Sequence, residues 1–194
     1  MTSFTSTLRI LSGLTLGTLA LVGAYALILL GVGLGLAPAA AEGSLIRGPE
    51  GELVGSRLVG QSFTEPGYLW PRPSAVDHAA DAAGGSNLAA SNPALRERVL
   101  ADLARHAASD ERPIPADLVT ASGSGLDPDI TLAGALYQAP RIAAARRVDR
   151  HEIEERLRSL AHTPNPWSPP LINVLETNLE LDRTFGALPT RPAE

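Results

Sequence analysis

The sequence predicts an α+β domain held behind one membrane-spanning helix. Three observations lead there. No charged residue occurs between Ile10 and Ala41. The chain beyond Glu42 is polar and rich in Gly and Pro. Within that later part, short helical and strand-like apolar patterns are mixed rather than repeated.

The uncharged run comes first. Crossing the ~30 Å hydrocarbon layer takes roughly 20 apolar residues in a helix, whereas a secretory h-region needs far fewer. Leu11–Leu36 is long enough to span. One helix satisfies every backbone N–H and C=O within the segment, as lipid requires. The boundaries read as a tail at 1–9, a transmembrane helix at 10–36 and a domain at 43–194. Arg9 lies before the span, while Glu42, Arg47, Glu50 and Glu52 follow it. That bias places the N-terminus in the cytoplasm and the domain outside. The competing reading is a cleaved signal, with small-residue sites at Ala37-Pro38-Ala39 or Ala39-Ala40-Ala41. Gly13-x-x-x-Gly17 and Gly31-x-x-x-Gly35 offer close approach to a partner helix, although Gly is common in membrane helices. The span holds no Asp, Glu, Lys, Arg or His, so any ion path belongs to another chain.

Beyond the anchor, residues 53–63 read as a Gly-broken strand or strand pair. Residues 64–93 read as a long irregular stretch; such loops are usually functional or docked on a partner. Asn92-Pro93 supplies an N-cap and a Pro at the first helical position, predicting a helix over 93–108. Residues 114–120 read as a strand and 121–128 as a Gly/Ser turn. A helix is expected from Asp129 or Thr131 to Tyr137, broken at Pro140 and resuming over 142–147. Asp149 with Glu152 predicts the start of another helix, its apolar face made by Ile153, Leu157 and Leu160. Residues 163–170 form a Pro-rich turn around Trp167. The alternation in 172–181 predicts a closing strand.

Composition removes much catalytic equipment. There is no Cys, hence no thiolate nucleophile and no Cys-ligated metal. All sixteen basic residues are Arg, so a P-loop lysine and a Schiff base are excluded. The net charge of −5 gives no nucleic-acid footprint. His78, His106, His151 and His162 form no H-E-x-x-H pair, so no metal site is assigned. Gly123-Ser124-Gly125 lacks the G-x-S-x-G spacing of a nucleophile elbow. No catalytic residue is assigned.

Several strings occur in order: Gly43-Ser44-Leu45-Ile46, GSRLVGQSF at 55–63, RPS at 72–74 and GGSNLAASNP at 84–93. Then come IPADLVTASGSGLDPDI at 114–130, YQAPRIAAAR at 137–146 and INVLETNLELD at 172–182. With the single span, this chain resembles the C subunit of Kdp-type potassium-transporting P-type ATPases over nearly its whole length. Two departures stand out. Pro71 replaces the family's usual Gly before Arg-Pro-Ser, and Asp129 stands where His or Asn is common.

The resemblance implies an accessory, non-catalytic subunit of a bacterial cell-membrane complex. Its implied partners are a potassium-channel-like subunit and an ATP-hydrolysing P-type subunit. Its implied role is a catalytic chaperone that raises the ATP affinity of the hydrolysing subunit. No cofactor of its own follows; ATP enters through the hydrolysing subunit, and K+ is the transported ion. The resemblance also likens TASGSGLD with Gln138 to the signature loop of ABC transporters, making Ser122, Gly123, Ser124, Gly125, Gln138 and Arg141 candidate contacts to nucleotide or partner. Physically, the two glycines permit close backbone approach and the serines offer hydroxyls. Gln138 can bond a ribose or base, and Arg141 can face a phosphate. The plainer reading is a helix-capping turn, with Gln138 satisfying carbonyls freed by Pro140. An external domain has no direct route to cytoplasmic ATP, so either the effect passes through the membrane subunits or the orientation is reversed. Acidic residues such as Asp77, Asp81, Glu97, Asp102, Asp110, Asp127 and Asp129 can enrich cations near a pore, or simply form a solvated face. The rival function is a membrane-anchored extracytoplasmic binding domain unrelated to transport.

Overall fold

A computed structural model describes residues 4–48, 50–109 and 111–188. Asp110 and the first part of the predicted tail, residues 1–3, lie outside them. The chain divides into two units, Met1–Leu45 and Ile46–Glu194.

The first unit is dominated by α1 (Phe4–Leu36), 33 residues long with none buried. At 1.5 Å per residue it is about 50 Å long, more than a hydrocarbon layer needs. Among the described residues it is the one helix long and apolar enough to cross a membrane. It starts ahead of Arg9, so Phe4–Arg9 of the predicted tail are already helical. A Cβ at Gly13, Gly17, Gly31 or Gly35 would meet nothing within 4 Å, so these positions are open to a neighbour. α2 (Pro38–Ala41) is a single turn, opened by Pro where a missing N–H costs nothing.

The second unit is α+β, as expected. β1 (Leu45–Arg47) and β2 (Leu53–Ser56) form one two-stranded sheet. Residues 57–92 then run without helix or strand. α3 (Pro93–Arg105) begins where Asn92 accepts the Ala94 N–H at 3.0 Å. β3 (Asp129–Thr131) leads directly into α4 (Leu132–Arg146), whose N-cap Thr131 accepts from Gly134 N–H at 3.0 Å. α5 (Arg150–Leu160) starts at Asp149, which accepts from His151 N–H at 2.6 Å. β4 (Leu171–Asn173) runs into α6 (Val174–Phe185). β3 and β4 are antiparallel, with Ile130 opposite Ile172. Those two isoleucines, Leu69, Ala135, Ala139, Ile142, Ile153, Leu157 and Leu181 make one buried core between the helices and this short sheet.

Three segments differ from expectation. Residues 114–120 hold a 3-10 turn at Ala116–Leu118, not a strand. Asp117 within it accepts the Thr131 N–H at 2.7 Å, which ties the turn to β3 and the start of α4. α4 continues through Pro140 without a break. An interior Pro costs about 3 kcal/mol, and the burial of Ala135, Ala139, Ile142 and Ala143 on the same helix outweighs it. The expected strand over 172–181 is mostly α6. Val174, Leu175, Asn178 and Leu181 are buried at helical spacing, and Asn173 caps the helix by accepting from Glu176 N–H at 3.1 Å.

Candidate functional site

The irregular segment 66–74 is where the singled-out residues converge. It carries its own polar backbone into the core, and those groups need partners. Side chains from two helices supply them. Gln138 on α4 accepts the Trp70 N–H at 2.9 Å and donates to the Trp70 carbonyl at 3.1 Å. Asn178 on α6 does the same for Leu69, at 2.7 and 3.1 Å. Two consecutive residues are thus each paired through a side-chain amide, as a neighbouring strand would pair them. Gln138 and Asn178 are both 2% exposed, so their amides are spent on the backbone of this segment rather than on solvent.

Two arginines hold the same segment through its carbonyls. Arg141 donates to Pro66 O, to Tyr68 O at 3.0 Å and to Gln138 Oε1 at 2.6 Å, with its guanidinium 3.6 Å from the centre of the Trp70 ring. Burial pushes its pKa down to about 10, and the charge of Arg105 adds to that. Arg146 donates to Gly67 O at 2.7 Å and to Gly186 O at 2.9 Å, and pairs with Asp182 at 2.7 Å. Tyr68 donates its hydroxyl to Asp182 at 2.8 Å; its pKa is pushed up to about 12 by burial and then by that bond.

The Ser122–Gly125 loop grips the far end of the segment. Ser122 N–H donates to Pro73 O at 2.9 Å, and Ser74 Oγ donates to Gly125 O at 2.8 Å. Arg72 pairs with Asp127 at 2.7 Å. The Ser124 carbonyl accepts from Gly84 N–H at 2.8 Å, joining the Gly84-Gly85 string to the loop. Both serine hydroxyls serve the loop itself: Ser122 Oγ accepts from Asp127 N–H at 3.3 Å and Ser124 Oγ from Leu126 N–H at 3.1 Å. Gly125 requires glycine, because its φ is +70° and a Cβ would stand 2.5 Å from Val76 Cγ2 and 2.8 Å from the Gly84 carbonyl. Gly123 is exposed with open space around it.

Ser122, Gly125, Gln138 and Arg141 therefore meet one backbone segment from two ends, while Gly123 and Ser124 do not reach it. Sequence reading missed Asn178, Arg146 and the anchoring role of Trp70. Asn178 was findable as a polar residue on the apolar spacing Val174–Leu181. Gln138 does not rescue carbonyls near Pro140; both ends of its amide face Trp70. Asp129, the departure from the family pattern, accepts from Asn173 Nδ2 at 3.1 Å across the strand pair, and burial raises its pKa. Among the described residues there is no group of three or more His, Cys, Asp or Glu placed to hold a metal ion.

Comparison with known proteins completes the site's context. Residues 7–183 match the family model described as "K+-transporting ATPase, c chain". A potassium-transporting ATPase KdpC subunit of Parvibaculum lavamentivorans is 43% identical over 189 residues, covering 96% of this chain and 100% of that protein. Its counterpart in Pseudomonas aeruginosa is 43% identical over 159 residues, 81% of this chain and 86% of that one. The counterpart in Methylibium petroleiphilum is 46% identical over 169 residues, covering 82% and 87%.

Proposed function

The chain belongs to the KdpC family, the c chain of K+-transporting ATPases, and from that premise we propose that it is an accessory, non-catalytic subunit of an ATP-driven potassium importer in the bacterial cell membrane. Its partners are a channel-like potassium subunit and an ATP-hydrolysing P-type subunit. α1 is an uncleaved single-pass anchor with the N-terminus in the cytoplasm and residues 43–194 outside. The open Gly13/Gly17 and Gly31/Gly35 positions pack on a partner helix. K+ passes through another subunit, because α1 carries no Asp, Glu, Lys, Arg or His between Ile10 and Leu36.

The subunit acts as a catalytic chaperone through assembly. It raises the ATP affinity of the hydrolysing subunit by fixing the membrane subunits, without touching nucleotide. One observation carries the indirect route: Gln138 and Ser122, two of the four polar candidates for nucleotide contact, are buried and bonded to their own chain. The experiment compares the whole complex with and without this subunit, and with Gln138→Ala. Loss of the subunit should raise the KM for ATP with little change in kcat. A fully assembled Gln138→Ala complex should keep the wild-type KM. A raised KM in that variant, or saturable ATP binding by the detergent-solubilised chain that inorganic phosphate does not compete away, would overturn the indirect route.

A further inference from the structure

Beside the amide clamp lies a cavity of about 180 Å³ lined by Arg105, His106, Ala107, Arg112, Tyr137, Gln138 and Arg141. Three guanidiniums face it, and no carboxylate is among its described lining residues. Each guanidinium is oriented by neutral groups. Arg141 is held by backbone carbonyls and Gln138, Arg112 by the Tyr137 carbonyl, and Arg105 by the Phe63 carbonyl at 3.4 Å. Aromatic rings fix them further: Arg105 and Arg141 lie 4.3 and 3.6 Å from the Trp70 centroid, and Arg112 lies 3.9 Å from that of Tyr137. Neutral acceptors set direction without cancelling charge, and Arg105 feels a nearby carboxylate, that of Asp102 outside the cavity lining. His106 adds none, since burial and then its arginine neighbours push its pKa down to about 4.

A pre-oriented set of guanidiniums with no carboxylate among its described lining residues is complementary to a compact anion with several acceptor oxygens, and planar forks suit phosphoryl geometry best. We propose that this cavity binds a phosphoryl group, supplied as free inorganic phosphate or as an exposed phosphomonoester on a lipid head. Bound there, the anion bridges Arg105 on α3, Arg112 and Arg141 on α4. The site is separate from the assembly role proposed above and can fail without it.

The test uses the full chain in neutral detergent with Trp167→Phe, an exposed position, so that Trp70 is the sole indole. At about pH 7.5 a phosphoryl group carries close to two charges. Inorganic phosphate is titrated against chloride at equal ionic strength, and phosphatidate micelles against phosphatidylcholine micelles. A saturable change in Trp70 fluorescence is expected. Arg112→Gln should weaken it about tenfold or more, the loss of one charge-assisted bond, while Arg158→Gln on α5 leaves it unchanged. Arg105→Gln replaces Arg112→Gln if the latter lowers the thermal midpoint. Saturation by phosphate assigns a soluble oxyanion, and saturation by phosphatidate alone assigns a lipid head. No saturable response in either arm, or an unchanged Kd on removing the arginine, would overturn the proposal.

Discussion

Gln138 pairs with Trp70 through both ends of its side-chain amide, accepting from the N–H at 2.9 Å and donating to the carbonyl at 3.1 Å. A helix side chain thereby does what a neighbouring strand does elsewhere, and a loop without secondary structure can lie in the core. Replacing Gln138 by Ala strands two buried backbone groups. The expected loss of unfolding free energy is about 2–4 kcal/mol. Asn178→Ala, which strands the same groups of Leu69, should cost a similar amount. Denaturant titration of the full chain in detergent measures both; losses below that of an ordinary surface substitution would refute the clamp.

The two glycines of the Ser-Gly loop separate by substitution. Gly125→Ala places a Cβ at a positive φ and against Val76 and the Gly84 carbonyl, and should cost about 2–4 kcal/mol. Gly123→Ala meets nothing within 4 Å, so its change should stay within about 0.5 kcal/mol. Equal thermal shifts for the two variants would contradict the loop geometry.

Acid should weaken the domain through His106. Burial first, and then the charges of Arg105 on α3 and Arg141 on α4, disfavour the imidazolium and lower its pKa to about 4, with Arg112 also lining the same cavity. An unfolded His titrates near 6.5. Between those values the unfolded chain binds more protons than the folded one. Stability is therefore full above about pH 6.5 and declines as pH falls toward 4. Asp102 and Asp129, whose pKa values are raised by burial, act in the opposite sense at the acid end. The readout is the difference in denaturation midpoint between wild type and His106→Gln across that window. Parallel curves would remove His106 as the source.

The anchor prediction concerns assembly. Double substitution to Leu at Gly13 and Gly17, or at Gly31 and Gly35, should release the subunit from the complex if that pair forms the contact face. Copurification from mild detergent decides it. Full recovery of both doubly substituted chains would exclude glycine-mediated packing.

Adjacent residues settled a good deal. The uncharged run marks α1, because membrane crossing depends only on local length and polarity. Asn92 and Asp149 mark the starts of α3 and α5, because a cap is a bond across two residues. The ordered strings carry the family. The α+β class is legible from the mixture of patterns. What lay beyond local reading depended on partners distant in sequence. The alternation in 172–181 fits a strand as well as a helix; burial of Val174, Leu175, Asn178 and Leu181 together selects the helix. Pro140 stays helical because packing on the core outweighs its local cost. The candidate residues Gln138, Arg141 and Ser122 were visible as polar groups on a Gly/Ser loop and a helix. Their target was not, since a buried backbone segment announces itself only where the chain folds over it. Tertiary structure alone decided that the Gln138 and Arg141 side chains face Trp70 and Tyr68 and that the Ser122 backbone N–H meets Pro73, because the hydrogen-bonding demand they answer arises when residues 66–74 leave water.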